Sequence, residues 1–274
     1  MKYDPTQIRS FFDEYGNAEW ERLVSSPKNL MSLQIHQYYL SQYLSSSDRI
    51  LEVGAGAGRY SIFMSRLGAS ILVSDISSVQ LDLAQQHITE AGLASQVEDY
   101  QLLDSTDLSS LADSSFDAVV AIGGPLSYVL DERDQAMKEL IRVTKPGGLV
   151  FLGMMSRYGA LQRLVGNYSA DLIADDYTVQ EVLATGDDPG YLAYSGHHSH
   201  LFTYDEITEF LQDFPVEIIE ATANSYLTNH KGVDLSPVVE SAAAWQKLFE
   251  MDLQICKEIV DGGSHMLLVV QKTS

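Results

Sequence analysis

The chain has little cysteine and little positive charge. Cys256 is the only cysteine among 274 residues, so no internal disulfide can form and a single thiol is no basis for a thiolate metal site. Lys and Arg number 17 against 38 Asp and Glu, a formal charge of -21, and no segment is rich in basic residues. Because phosphate backbones are normally met by clustered Lys and Arg, nucleic acid is a poor partner for this surface. Solubility or a salt-adapted host explains the acidity better than a steering role does.

Long apolar runs are also missing. The N-terminus, Met1 to Ser10, is polar, and the longest apolar stretches are far shorter than the roughly 20 residues that a bilayer span requires. We therefore expect a cytoplasmic protein without a membrane partner. Apolar residues make up 45% of the chain and charged residues 20%, which is ordinary globular usage and favours a packed, enzyme-sized fold.

Strands and helices alternate through the middle of the chain. A helical block precedes residue 49, and short apolar runs then predict strands that end near positions 53, 75, 103, 122 and 153, with a helix after each of the first, second and fourth. Such alternation implies a parallel sheet with right-handed crossovers. Residues 145–148 read KPGG and predict a turn before the fifth strand.

The C-terminal part of the chain adds two strands and two helices. Thr203 and Glu206 have the spacing of a capping box, which predicts a helix from Tyr204 to Leu211. A sixth strand follows, then a helix from Val238 to Val260 and a last strand, so the sheet is predicted to have seven strands. The predicted fold class is α/β, a doubly wound, Rossmann-like sheet.

The predicted domain organisation has two parts. Residues 1–48 form an N-terminal helical cap, and residues 49–274 form the main domain. A lid insertion at about 154–200, where the alternation breaks down, and a helical insertion at about 224–262 interrupt that domain.

A glycine-rich turn follows the first strand, where residues 52–59 read EVGAGAGR. Glycines let the chain turn tightly and let a ligand pack against the backbone, which suits any nucleotide-like ligand. The dinucleotide fingerprint places its third glycine three positions after the second. Here the spacing is two and Arg59 stands at that place, which counts against NAD.

Acidic residues end the second and third strands. Asp75 lies about 20 residues beyond the turn, where a carboxylate can accept hydrogen bonds from both ribose hydroxyls; a charge that stabilises the next helix is the alternative. Asp104, followed by Ser105, could hold an adenine amino group, and an ordinary loop acid is the alternative there.

With these motifs the chain resembles the class I S-adenosylmethionine-dependent methyltransferases over residues 48–153. The resemblance implies S-adenosylmethionine as the cofactor and a seven-stranded sheet whose last strand is antiparallel. It also implies roles for individual residues: Glu52 near the methionine ammonium, Gly54 and Gly56 along the methionine portion, Asp75 at the ribose, Ile76 on the adenine face, Asp104 with Ser105 at the adenine amino group, Gly123 beside the sulfonium, and Tyr15 or Trp20 as an N-terminal aromatic.

The segment after the fourth strand indicates which kind of molecule accepts the methyl group. Residues 122–128 read IGGPLSY and lack the Asn-Pro-Pro-aromatic tetrad of amino-group nucleic-acid methyltransferases, which disfavours base methylation. The segment resembles the Gly-Pro-Leu stretch of bacterial small-molecule methyltransferases. Tyr128 after this strand, and Arg157 and Tyr158 after the fifth, are candidate substrate contacts, with surface charge and lid packing as alternatives.

A general base is needed only if the acceptor carries a proton at its working pH. His200 and His197, in the stretch YSGHHSH of residues 194–200, are the candidate catalytic residues. Solvated loop residues or metal ligands are the alternatives, and without a companion carboxylate motif we expect no metal. His36 is more typical of a helix face than of a base.

The predicted function is transfer of a methyl group from S-adenosylmethionine to an oxygen or nitrogen of a small-molecule acceptor. The alternatives are a macromolecular methyltransferase acting on protein or RNA, an S-adenosylmethionine-binding protein without catalysis, and a nicotinamide enzyme. Whether the chain forms a homodimer is left open.

Overall fold

The centre of the protein is a seven-stranded sheet. A computed structural model describes residues 1–167, 176–188, 198–229 and 234–274, with the backbone alone described for 163–167 and 176–178. The strands are β1 (Arg49–Val53), β2 (Ser70–Asp75), β3 (Val97–Leu102), β4 (Phe116–Ala121), β5 (Thr144–Met155), β6 (Asp187–Asp188), β7 (Ser199–His200), β8 (Val216–Ala223) and β9 (His265–Lys272).

The sheet order is β3-β2-β1-β4-β5-β9-β8, and β6 with β7 forms a separate antiparallel ladder. Strands β1 to β5 pair in parallel, whereas β9 runs antiparallel to both β5 and β8. The predicted α/β class and the antiparallel last strand are therefore confirmed. The order reverses between β1 and β4, which is the place where open α/β sheets bind ligands.

Helices cover both faces of this sheet. They are α1 (Pro5–Tyr15), α2 (Ala18–Arg22), α3 (Pro27–Tyr43), α4 (Arg59–Arg66), α5 (Ser78–Glu90), α6 (Pro125–Tyr128), α7 (Arg133–Val143), α8 (Arg157–Asn167), α9 (Asp176–Thr185), α10 (Tyr204–Leu211), α11 (Ser236–Glu240) and α12 (Ala242–Glu258). The capping box is present, since the Thr203 hydroxyl accepts a hydrogen bond from the Glu206 N–H at 3.2 Å.

The core has two layers, one on each side of the sheet. Successive residues of a strand point to opposite faces, so Ile50 packs into the layer under α3, α4 and α5, whereas Leu51 packs into the layer under α7 and α10. Both residues are buried, as expected for a parallel strand covered on both faces. Met31 and Ile35 of α3 share a core cluster with Ile50, so the N-terminal helices rest directly on the sheet.

Three local predictions differ from the structure. The turn at 145–148 lies inside β5, where the pairing with β4 shifts register and Gly147 has φ +75°, a bulge that keeps the strand continuous. The helix predicted over 238–260 is two helices, because Ser241 is extended and its hydroxyl caps α12. The insertion at 154–200 starts within β5 and contains α8 and α9. The division into a cap and a main domain stays a prediction.

Within the described ranges, no helix combines the length and the apolar character that crossing a bilayer demands.

Candidate functional site

A cavity of about 400 Å³ opens at the carboxyl ends of β1, β2 and β4, with α1, α2 and α3 contributing to its walls. This volume lies in the range of small-molecule sites, about 300–1,000 Å³. Its lining contains two sets of residues. The strand-end group is Gly54, Gly56, Asp75, Ile76, Asp104, Ser105 and Gly123. The α3 group is Asn29, Ser32, His36, Tyr60, Asn224 and His265.

The glycine turn needs glycine for two physical reasons. Gly54, Gly56 and Gly58 have φ values of +71°, +54° and +89°, a region that side chains with a Cβ rarely adopt. A Cβ on Gly54 would also lie 2.9 Å from Cγ of Pro125. The turn therefore presents bare backbone to the cavity, as a close-packed ligand requires.

Asp75 at the end of β2 stabilises this turn by hydrogen bonding to its backbone. Its Oδ2 accepts the N–H of Gly56 and its Oδ1 accepts the N–H of Ser77, both at 2.8 Å. Burial, to 5% exposure, raises the pKa of Asp75 to about 6, although the two backbone N–H groups favour the ionised form. Each carboxylate oxygen keeps a lone pair for a further donor, so ribose hydroxyls can still bind.

Asp104 is held by two neighbours. Its Oδ1 accepts bonds from the Thr106 N–H and hydroxyl, at 2.9 and 2.8 Å, and its Oδ2 accepts the Tyr3 hydroxyl at 2.8 Å. Burial and the Asp104 charge raise the pKa of Tyr3, so Tyr3 stays a donor. Ser105 and Ile76 lie beside Asp104 in the cavity wall. The N-terminus of the chain thus reaches over the predicted adenine site.

Glu52 does not belong to the cavity lining in the described ranges, which begins one residue later at Val53. Its side chain is 2% exposed, and the Ser61 hydroxyl donates to its Oε2 at 2.5 Å. Burial raises the pKa of Glu52 to about 8, with the hydrogen bond from Ser61 opposing the shift. Its role near a methionine ammonium stays a prediction.

The N-terminal helices are anchored over the turn. The side-chain amide of Gln80 donates to the carbonyls of Phe12 and Gly16 at 3.0 and 2.9 Å. The Arg59 guanidinium stacks 3.7 Å from the Trp20 ring centroid and donates to the Trp20 carbonyl at 2.8 Å. Arg59, the residue that breaks the dinucleotide fingerprint, therefore holds the N-terminal segment in place.

Both predicted N-terminal aromatics, Tyr15 and Trp20, line the cavity. Glu19 lies against the turn, since its Cγ is 3.3 Å from where a Cβ on Gly56 would be. Arg22 clamps that carboxylate with two hydrogen bonds of 2.6 and 2.7 Å.

Gly123 and Tyr128 line the wall after β4. Gly123 has φ +102°, and the Tyr128 hydroxyl donates to its carbonyl at 3.3 Å. The Tyr128 ring lies 5.9 Å from the Phe12 ring, centroid to centroid. Of the predicted substrate contacts, Tyr128 is the one that the structure places in this cavity.

His200 is placed elsewhere, which corrects the expectation that it is the base. It does not line the described part of the cavity, it is 3% exposed, and its two ring nitrogens lie 2.6 Å from Asp187 Oδ1 and 2.6 Å from Glu206 Oε1. Burial opposes ionisation of these carboxyls, but the hydrogen bonds and positive charges around them together hold the pKa of each below its usual range. Both ring nitrogens are therefore occupied by carboxylate partners of this network.

Arg157 and Tyr158 are corrected in the same way. Arg157 joins the His200 network through a 2.6 Å ion pair with Glu206 and donates to the Leu201 carbonyl at 3.1 Å. Tyr158 is 53% exposed and lines a separate surface groove with Lys257. The other histidine predicted as catalytic, His197, lies outside the described residues.

The α3 group was missed by the sequence reasoning. Asn29, Ser32 and His36 recur at spacings of three and four on α3, and this stripe of polar residues was the available signal. The Asn224 amide donates to the Ser32 hydroxyl at 2.7 Å, and the Asn224 carbonyl oxygen accepts the His265 N–H at 3.0 Å.

His36 is a buried titratable residue of this group. Its Nδ1 lies 2.7 Å from the Tyr60 hydroxyl oxygen. Burial and the positive charge of Arg22 lower the pKa of His36 to about 4, so the ring is neutral near pH 7. Burial likewise raises the pKa of Tyr60, which keeps the phenol protonated.

In the part of the chain that the structure describes, no three His, Cys, Asp or Glu side chains come together as metal ligands could. A doubly wound sheet with an antiparallel last strand, and a glycine turn facing acidic strand ends, is the arrangement that the resemblance to the Rossmann-like methyltransferase class implies.

Comparison with known proteins agrees with that class. Residues 50–148 match the family model of a methyltransferase domain. Methyltransferase GfsG of Streptomyces halstedii is 34% identical over 113 residues, which are 41% of this chain and 39% of that protein. A ubiquinone biosynthesis O-methyltransferase of Xanthomonas oryzae pv. oryzae is 36% identical over 110 residues, which are 40% of this chain and 44% of that protein. The chain thus spans about two fifths of the length of these curated relatives.

Among solved structures, an S-adenosylmethionine-dependent methyltransferase from Methanosarcina mazei has a TM-score of 0.57 at 23% identity, covering 85% of this chain and 96% of that one. This likeness shows the fold. The resemblance seen in the sequence is confirmed: residues 50–148 match a methyltransferase domain, and S-adenosylmethionine is the cofactor of this class.

Proposed function

We propose that the chain transfers the methyl group of S-adenosylmethionine to an oxygen or nitrogen of a small-molecule acceptor. The observation that carries the proposal is one cavity lined by both the strand-end group and the α3 group. Methyl transfer needs this arrangement, because donor and acceptor must meet in line within one enclosed space.

The strand-end group fits the cofactor. The backbone of Gly54 and Gly56 forms a cradle that a side chain would fill, so the methionine portion can pack against it. Asp75 retains lone pairs for the ribose hydroxyls, and Asp104 is oriented by its bonds to Tyr3 and Thr106 toward an amino group. When bound, S-adenosylmethionine supplies a methyl carbon activated by its sulfonium.

The chain's own contribution to the reaction is placement and exclusion of water. The N-terminal helices, held by Gln80 and Arg59, close one side of the cavity. Holding two reactants in a near-attack geometry can supply roughly 7–11 kcal/mol of the barrier. A small acceptor is favoured by the cavity volume of about 400 Å³ and by the strongly acidic surface, which disfavours RNA.

The name of one relative, the ubiquinone biosynthesis O-methyltransferase, supports a small acceptor that is methylated at an oxygen. The family match ends at residue 148, so it includes Tyr60 of the α3 group but neither α3 nor Asn224 and His265. Most of the α3 group therefore lies outside the part of the chain that the family model matches.

The test is a coupled assay that measures S-adenosylhomocysteine as homocysteine while phenols, alcohols, amines and carboxylates are screened as acceptors. We expect turnover with at least one class. Binding of S-adenosylhomocysteine by calorimetry, with no turnover on any class, would indicate a cofactor-binding protein without catalysis. Absence of both would contradict the proposal.

A further inference from the structure

One buried nitrogen in the cavity wall has unused hydrogen-bonding capacity. His36 is 4% exposed and lines the cavity, and its Nε2 has no hydrogen-bond partner among the residues of the described ranges. Buried polar atoms are almost always paired in native proteins, and an unpaired one at a cavity suggests a ligand or a catalytic role.

Tyr60 connects His36 to the glycine turn. It is the second residue of α4, which begins directly after Gly58, and its hydroxyl oxygen is 2.7 Å from His36 Nδ1. His36 therefore lies one hydrogen bond away from a residue that adjoins the proposed cofactor site. Ser32 lies one helical turn before His36 on the same face of α3, tied to Asn224.

The charged side chains of the cavity wall are engaged by other partners, and of these charges that of Arg22 acts on His36. Arg22 is paired with Glu19, and Arg59 is bound to Trp20. The lining carboxylates are engaged as well, Asp75 by backbone N–H groups and Asp104 by Tyr3 and Thr106.

This pattern favours one class of acceptor. Among the lining carboxylates, Glu19 acts electrostatically on Tyr60 of the α3 group, but it is already paired with Arg22, whereas a protonated amine would need an unpaired carboxylate. The neutral amides of Asn29 and Asn224 and the hydroxyl of Ser32 suit a hydroxyl group instead. A hydroxyl acceptor also has the greater need of a base, because it carries its proton at neutral pH.

The protonation state of His36 is the one that a base needs. Burial and the charge of Arg22 keep the imidazole neutral, with a pKa of about 4. A neutral ring that donates its Nδ1–H to the Tyr60 oxygen carries a lone pair on Nε2. Because its pKa is raised, Tyr60 remains a phenol whose oxygen can accept that bond.

Resting on the function proposed above, we propose that Nε2 of His36 is the general base for an alcohol or phenol acceptor bound against the α3 group, with Tyr60 positioning the ring. As the acceptor oxygen forms its bond to the methyl carbon, the carbon–sulfur bond breaks and its electron pair passes to sulfur, giving the thioether. The O–H bond breaks and the proton passes to Nε2. The resulting imidazolium keeps its Nδ1–H on Tyr60, and the products are a methyl ether and S-adenosylhomocysteine.

The experiment compares His36→Gln, Tyr60→Phe and a control, Ser41→Ala, on the exposed part of α3. Each variant is titrated with S-adenosylhomocysteine by calorimetry and assayed with benzyl alcohol, phenol and the more acidic 4-nitrophenol at mildly alkaline pH. With phenol, His36→Gln should lower kcat by roughly 10²–10⁴-fold. Its affinity for S-adenosylhomocysteine should stay within a factor of about two to three of wild type.

Comparing kcat for acceptors of different acidity distinguishes a general base from a residue with a structural role alone. An acceptor that is already ionised needs no base, so the deficit of His36→Gln should shrink with 4-nitrophenol. Tyr60→Phe should lose about tenfold in kcat. Because the base is still present in this variant, its kcat should vary between phenol and 4-nitrophenol as that of the wild type does. Ser41→Ala should match the wild type in both measurements.

Three results would overturn the inference. They are unchanged kcat in His36→Gln, an equal deficit for phenol and 4-nitrophenol, and a wild-type enzyme that binds S-adenosylhomocysteine but methylates amines alone or no hydroxyl compound. Failure of wild type to bind S-adenosylhomocysteine would instead remove the proposed function itself, so the two failures are distinguishable.

Discussion

The strand-end group and the α3 group line one cavity but are held in different ways. In the strand-end group, backbone N–H groups fix the carboxylate of Asp75, and glycine backbone forms the surface. In the α3 group, side chains from separate parts of the chain hold one another, and Nε2 of His36 is left without a partner in the described structure. The strand-end group is a preformed binding surface and is called the platform below. The α3 group is a polar surface on which a bound acceptor would pair with Nε2 of His36.

The largest effect expected on the platform comes from Asp75→Asn. The substitution replaces a charged carboxylate that accepts the Gly56 N–H. In our account the same carboxylate also accepts hydrogen bonds from two ribose hydroxyls. Hydrogen bonds to a charged group contribute about 1.5–3 kcal/mol each, so affinity for S-adenosylhomocysteine should fall roughly 100-fold or more. Calorimetry provides the measurement, and Asp82→Asn, an exposed acid on α5, is the matched control that should bind as wild type does. Equal affinity in both variants would mean that the ribose is misplaced.

Gly56→Ala should have the next largest effect on binding. The added Cβ is strained at φ +54° and meets Glu19 at 3.3 Å, which crowds the platform. Strain of this kind costs about 1–3 kcal/mol. Gly92→Ala is the control, because Gly92 has φ +73° with open space around its Cβ. Both variants should lose thermal stability, but only Gly56→Ala should weaken cofactor binding, by about tenfold; equal binding in the two would show that the turn does not contact the cofactor.

Glu52, buried near the end of β1, offers a pH test of the fold beside the glycine turn. Its pKa rises from 4.5 to about 8 in the folded protein, so the fold favours the protonated carboxyl. The stabilisation relative to Glu52→Gln is therefore fully present below about pH 4.5 and is lost as the pH rises through about 8. Urea unfolding across this window should show wild type losing on the order of a few kcal/mol relative to the variant. Parallel curves would contradict the burial of a neutral carboxyl.

The smallest effect on function is expected at His200. His200→Gln should lower the free energy of unfolding by about 1–3 kcal/mol, because it removes the partner shared by Asp187 and Glu206. Turnover and cofactor affinity should stay near wild type at temperatures where the variant is folded. A large loss of kcat without loss of stability would return His200 to the active site.

The platform could be predicted from the sequence because local rules place it. A residue that ends a parallel strand lies at the ligand-binding edge whatever the rest of the chain does, which is why Asp75 and Asp104 were found. Glycines with positive φ mark the turn in the same local way. Helix α10 was predicted with its observed bounds because Thr203 and Glu206 form a local cap.

The α3 group could not be predicted because tertiary packing assembles it. Asn224, which follows β8, bonds to Ser32 of α3 across a separation of 192 residues, and His265 at the start of β9 bonds to Asn224. A lone histidine such as His36 on a helix face resembles a core residue until its unpaired nitrogen is located. His200 was wrongly predicted as a base because its carboxylate partner was not recognised. That partner, Asp187, lies on the other strand of a two-stranded ladder that has no sequence signature.

The most direct test of the account is calorimetric titration of the wild-type protein with S-adenosylhomocysteine and, separately, with NAD. We predict binding of S-adenosylhomocysteine in the micromolar range or tighter and no heat with NAD, since Arg59 replaces the third glycine of the dinucleotide fingerprint. Heat with NAD and none with S-adenosylhomocysteine would contradict it.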